Sequence, residues 1–131
     1  MSDKKTILIV DDDPAILNML AQSLELDYDV LLAGDGVDAA YLYERNIEKI
    51  AAIVTDLEMP RLTGQSLAEW VHHIRPQLPV IIMSGNFRKV ALSNLQGKPT
   101  TSFLGKPFAP SELEAALQHV LDVSEIHSQV V

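Results

Sequence analysis

Five short apolar runs punctuate the chain, at Thr6–Val10, Tyr28–Ala33, Ala51–Thr55, Pro79–Met83 and Thr101–Leu104. They are short and mostly unalternating, and several are rich in β-branched residues, as expected of strands covered on both faces. Between and after them, apolar residues recur at helical spacing. Ile16, Met19, Leu20 and Leu24 fall at i, i+3, i+4 and i+8, which predicts one buried helix face. Leu67, Trp70, Val71 and Ile74 repeat the pattern, as do Leu113, Ala116, Leu117, Val120 and Leu121. A shorter helix is predicted over Asp35–Glu44, with Val37, Ala40 and Tyr41 inward, and one of weaker period over Phe87–Leu95. Asp13-Pro14 has the form of an N-cap followed by proline in the first turn, Asp35 is placed to cap the next helix, and Pro110 to begin the last. Strands alternating with helices predict parallel crossovers and an α/β sandwich with five strands.

Composition narrows what such a domain does. Its 131 residues suit one domain with a core that needs no covalent staples. Cysteine is absent, which excludes disulfides, thiolate metal sites and a cysteine nucleophile. Ten basic against eighteen acidic residues give a net charge of −8, which opposes attraction to phosphate backbones, so no direct nucleic-acid binding is expected. The charge itself reads as simple solubility. The opening MSDKKTILIV holds only a short apolar run and no segment approaches a membrane span, so no membrane association and a cytoplasmic location are expected.

The chemistry lies at the strand ends. In open parallel sheets, ligands sit beyond the carboxyl ends of the strands, near the point where strand order reverses. Asp11-Asp12-Asp13 follows the first run, Asp56 the third, Ser84 the fourth and Lys106-Pro107 the fifth. If these strands are neighbours, several carboxylates, a hydroxyl and an ammonium share one pocket. Two carboxylates ~5 Å apart repel by roughly 3 kcal/mol at an effective dielectric of ~20, and one lysine balances three acids poorly. A hard divalent cation resolves the conflict, and Mg²⁺ favours carboxylate and carbonyl oxygens with phosphate. An acidic nucleophile, a cation, a lysine and a hydroxyl together suit phosphoryl transfer.

At this point the residues resemble a known family. IVDDDP, IVTDLEMPRLTG, IIMSG and FLGKPF are similar, in order and spacing, to the four signatures of response-regulator receiver domains, over roughly residues 5 to 121. The resemblance implies a flavodoxin-like (βα)5 doubly wound sandwich with a parallel sheet in the order 2-1-3-4-5. It implies a receiver domain over residues 1–121, leaving 122–131 to extend the last helix, dock, or serve as a tail or linker stub. It also implies Asp56 as phosphoacceptor, taking a phosphoryl group from a phosphohistidine on a histidine kinase or histidine phosphotransfer domain. Asp12, Asp56 and the backbone carbonyl of Glu58 are the implied Mg²⁺ ligands, with Asp11 acting mainly through water. Lys106 and Ser84 are implied to contact the phosphoryl group, Phe103 to swing inward behind Ser84, and the peptide to Pro107 to be cis. Pro60 and Gly64 match the loop into the third helix, and Glu58 and Asn86 are implied to tune phosphate lifetime.

The chain departs from the family pattern in places. Phe103 stands where tyrosine is frequent, Gly85 where alanine is common, and Pro99 interrupts the approach to the fifth strand. These positions lie on the face the family uses for output, so the downstream protein and any homodimer stay open. Other residues have plainer readings. Asp13 reads as a helix cap rather than a metal ligand. His72-His73 reads as a solvated helix face, because adjacent helical residues diverge. His119 and His127 lack partners at ligand spacing, Trp70 reads as packing, and Arg88-Lys89 as surface charge near the site. A Mg²⁺-dependent phosphatase with an aspartate nucleophile, Glu58 serving as acid, is the enzyme alternative. A receiver that never accepts phosphate is the interaction-module alternative.

Overall fold

The five strands form where the apolar runs predict them, with boundary shifts of one residue that matter for the site. The computed structural model describes residues 3–86 and 100–130, with side chains through Ser124. Strands β1 (Lys5–Val10), β2 (Tyr28–Ala33), β3 (Ile50–Asp56), β4 (Val80–Ser84) and β5 (Thr101–Gly105) make one parallel sheet in the order β2-β1-β3-β4-β5. Strand order therefore reverses between β1 and β3, the place where such sheets gather ligands. Asp56 and Ser84 are the last residues of their strands rather than the first residues beyond them.

Among the described residues the helices are α1 (Pro14–Leu24), α2 (Gly36–Arg45), α3 (Gly64–Ile74) and α4 (Pro110–Val130). The segment Phe87–Leu95 and the pair Arg88-Lys89 lie outside the described residues. Both faces of the sheet are covered. Leu8, Val10, Ile53 and Ile82 face α2 and α3, while Ile7, Ile9, Val54, Ile81 and Met83 face α1 and α4. That double burial is why the strand runs do not alternate. Helix α4 continues across residue 122 to Val130 without a break.

Two helices turn a different stripe inward from the one predicted. In α1 the buried residues are Leu17, Leu20 and Leu24, and Met19 is exposed. In α2 they are Gly36, Ala39 and Tyr43, while Val37 and Tyr41 face outward. Both segments carry apolar residues on two overlapping stripes, and the sheet selects the one that packs closest. Gly36 lets the start of α2 approach Leu62 in the loop before α3, Ala39 is fully buried, and Tyr43 meets Trp70 edge to face at 5.7 Å. Tyr41, left outside, is covered by the Arg45 guanidinium 4.7 Å from its ring centre. In α3, Leu67, Ala68 and Val71 are buried, Trp70 is half-buried and Ile74 is exposed.

The amino-terminal rim of the sheet is fastened by side chains. His72 is not solvated as expected: its Nε2 lies 2.9 Å from the Leu78 carbonyl and 3.3 Å from Thr100 Oγ1. The Arg75 guanidinium donates to the carbonyls of Ile47 and Ile50, each at 2.9 Å. His119 is exposed.

Asp13 caps α1 as predicted, its Oδ1 accepting from the Ala15 amide at 2.9 Å, and Asp35 caps α2 by accepting from the Asp38 amide at 2.8 Å. Asp13→Ala is expected to lower stability by about 1 kcal/mol, and Asp13→Asn to leave it nearly unchanged, in urea titrations followed by circular dichroism.

Candidate functional site

Two neighbouring strands bring the acids together. Asp11 and Asp12 follow β1, and Asp56 ends β3, which pairs directly with β1. Carboxylate oxygens of Asp11, Asp12 and Asp56 all lie within 4.8 Å of one another. Asp13 is not part of this group. Its amide instead donates to Asp11 Oδ1 at 2.9 Å, which holds the Asp11 carboxylate as the chain turns into α1. Asp11 is 1% exposed, whereas Asp12 stands at the surface.

Lys106 arrives from β5 across β4. Its amide donates to the Ser84 carbonyl at 2.8 Å, and the peptide to Pro107 is cis. Its Nζ donates to Asp11 Oδ2 at 3.0 Å and lies 3.5 Å from Asp56 Oδ2. Burial disfavours the ammonium. The hydrogen bond to Asp11 and the charges of Asp11 and Asp56 outweigh this and raise the Lys106 pKa, so the lysine is firmly charged. The Asp56 carboxyl is pushed above its ordinary value. Burial and the Asp11 charge raise its pKa, against the opposing pull of Lys106 and of a hydrogen bond from the Glu58 amide.

Ser84 is buried at the end of β4, between Asp56 and Lys106 in the order of strands. Its hydroxyl is engaged locally, accepting from the Asn86 amide at 3.0 Å and lying 3.3 Å from the Asn86 carbonyl. Phe103, paired in register with Ile82, is half-buried against the α2–α3 face. Glu58 is exposed in the loop after β3. Two features of this region had no clear signal in the sequence. Arg61 adopts a positive φ of 71° and its guanidinium reaches the Asp35 carboxylate, although nothing in MPRLTG marks a left-handed arginine.

The donor set suits a hard cation. Three carboxylates converge against one ammonium, so negative charge remains in excess, and every donor is oxygen. The sequence profile of the response regulator receiver domain matches residues 7–118, most of the chain and all of these elements except the first residues of β1 and the far end of α4.

The chain belongs to the response regulator receiver domain family.

Receiver domains are signalling domains of two-component systems, and they typically use Mg²⁺ at an acidic pocket. The alkaline phosphatase synthesis transcriptional regulatory protein PhoP of Bacillus subtilis (strain 168) is 32% identical over 126 residues, which cover 93% of this chain and 50% of PhoP. Response regulator MprA of Mycobacterium sp. (strain KMS) is 35% identical over 118 residues, covering 88% of this chain and 50% of MprA. The chain thus spans about half the length of these curated relatives. Among solved structures, a response regulator receiver domain protein from Clostridium thermocellum matches with a TM-score of 0.84 at 26% identity, over 93% of this chain and 98% of that one. A CheY-like receiver domain protein from Methanospirillum hungatei JF-1 matches with a TM-score of 0.83 at 29% identity, over 95% and 99%. Receiver domains of response regulators interact with histidine kinases and effector domains. Among the described residues, no helix is long and apolar enough to cross a membrane.

Proposed function

We propose that this receiver domain is a phosphoacceptor switch in which Asp56 takes a phosphoryl group from a phosphohistidine on a partner kinase or phosphotransfer domain. A carboxylate oxygen of Asp56 attacks phosphorus, the P–N bond breaks, and the electron pair leaves with the histidine nitrogen. The observation that carries this reading is the convergence of Asp11, Asp12 and Asp56 within 4.8 Å, faced by Lys106.

Asp11, Asp12, Asp56 and the Glu58 backbone carbonyl are the groups that would hold Mg²⁺, which would supply positive charge against the phosphoryl oxygens. Lys106, its Nζ 3.5 Å from Asp56 Oδ2, supplies a further positive charge and orients the Asp56 carboxylate. The Ser84 hydroxyl is placed to exchange its contacts with Asn86 for a phosphoryl oxygen, vacating space for Phe103. A new group of nearly two negative charges at Asp56 then biases two arrangements of the β4–β5 side of the domain, which is a population shift. The output partner is a downstream protein or effector domain, in the cytoplasm. Glu58 and Asn86, beside the phosphoryl position, set its lifetime.

Incubation with acetyl phosphate tests this reading, with intact-protein mass as the readout. One phosphoryl-sized gain is expected in Mg²⁺ and none in EDTA. An unmodified protein under both conditions would support a receiver acting only by contact. Sustained release of p-nitrophenol from p-nitrophenyl phosphate would support a phosphatase instead.

A further inference from the structure

The loop after Asp56 makes a turn that its residues do not favour on their own. Arg61, at φ 71°, lies in the left-handed region, where a residue bearing Cβ is strained. The Leu62 amide donates to the Pro60 carbonyl at 2.8 Å, so these three residues form a γ-turn of the rare, strained hand. Glycine is the usual solution to a positive φ, and arginine is not. Such a conformation persists only where its surroundings over-determine it.

The surroundings here are the start of α2. The Arg61 guanidinium donates to the Asp35 carboxylate and lies 3.8 Å from that of Asp38. Asp35 is itself held, because its other oxygen caps α2. The loop is pressed against the same helix end: a Cβ at Gly36 would fall 2.4 Å from the Leu62 carbonyl oxygen. At its base the loop is closed by the Gly64 amide donating to the Leu57 carbonyl at 3.0 Å. Glu58 lies inside this closed loop, and its amide donates back to the Asp56 carboxylate. Because β2 and β3 flank β1, the bridge from Asp35 to Arg61 joins the loops on either side of Asp11 and Asp12.

We propose that Arg61 is the positioning residue of the phosphoacceptor loop: its pair with Asp35 holds the strained turn and thereby keeps the Glu58 backbone and the Asp56 carboxylate in place for Mg²⁺. The proposal rests on the reading of the acidic pocket given above. An exposed ion pair contributes little to global stability, and the Arg61 side chain is 55% exposed. The effect therefore belongs in local order and metal affinity rather than in melting temperature.

Isothermal titration of MgCl₂ into the wild type and into R61A, D35N, R61G and R61K tests it, together with amide hydrogen exchange on the metal-free proteins. Asparagine caps helices as well as aspartate, so D35N removes the charge and keeps the cap. R61A and D35N are each expected to weaken Mg²⁺ binding about three- to five-fold. The double variant should be no weaker than either single one, since both remove the same contact. Exchange at the Leu62 and Gly64 amides should quicken in both, with melting temperatures within about 2 °C of wild type. R61K should recover part of the affinity. R61G has no tie but relieves the strain at the positive φ, and should bind Mg²⁺ better than R61A and less well than the wild type. Wild-type affinity in D35N, or in R61A, would overturn the positioning role while leaving the pocket intact. A wild type that binds no Mg²⁺ would overturn the metal reading and this role together.

Discussion

Asp56→Asn is expected to lower phosphorylation by acetyl phosphate by about 10³-fold or more while making the metal-free protein more stable. The loss follows from replacing the proposed nucleophile with a neutral amide of nearly the same shape. The gain follows from electrostatics. Asp56 is largely buried beside Asp11, and Lys106 divides its charge between the two. Two carboxylates at about 5 Å repel by roughly 3 kcal/mol at an effective dielectric of ~20, and Lys106 offsets much of this, so a net gain of about 1 kcal/mol is expected in the variant. The sign with pH is fixed by the raised pKa of Asp56. In the wild type its contribution to stability is present at low pH and is lost as pH rises through its folded-state value, because folding then requires a buried charge. The variant's advantage should therefore be present at neutral pH and vanish in acid. It should also vanish in saturating Mg²⁺, which stabilises the wild type more. Thermal melts at two pH values, with Mg²⁺ or EDTA, check each part. A metal-free variant no more stable than wild type at neutral pH would show that the acids are not crowded.

Gly64→Ala is expected to cost about 3 kcal/mol, or roughly 10 °C in melting temperature. A Cβ there would fall 2.2 Å from the Asp56 carbonyl oxygen and 3.0 Å from both the Asp56 carbonyl carbon and Leu57 Cα. All three are backbone atoms at the junction of β3 with its loop, so no side-chain rotation relieves the clash. Either α3 withdraws from the sheet, exposing Leu67 and Val71, or the end of β3 moves and takes Asp56 with it. Phosphorylation by acetyl phosphate should slow in the folded fraction for the second reason. Gly34→Ala is the control, since nothing lies within 4 Å of a Cβ there, and it should change stability by less than about 1 kcal/mol. Equal melting temperatures for the two variants would show that α3 sits more loosely on β3 than this contact implies.

The strands and the acidic pocket were legible because each depends on local, strongly patterned sequence. Apolar runs that stop at Asp11, Asp56 and Ser84 mark both a strand and what its end presents. The buried stripes of α1 and α2 were not legible. Leu17 and Met19, or Tyr41 and Tyr43, are equally good inward residues on an isolated helix, and only the distance to the sheet separates them. His72 was misread for a related reason: its partners, Leu78 and Thr100, belong to other segments. Arg61 was invisible as a turn residue because arginine has no preference for positive φ, and its partner Asp35 lies on a distant loop.

The two ends of the sheet divide their labour. Asp11, Asp56, Ser84 and Lys106 occupy one rim, while His72, Arg75 and Thr100 lace the other through main-chain carbonyls. Damage to the first rim would yield an abundant but silent protein, and damage to the second a scarce one whose surviving molecules still respond. A mutational screen scoring abundance and signal separately would sort its hits by height along the strands.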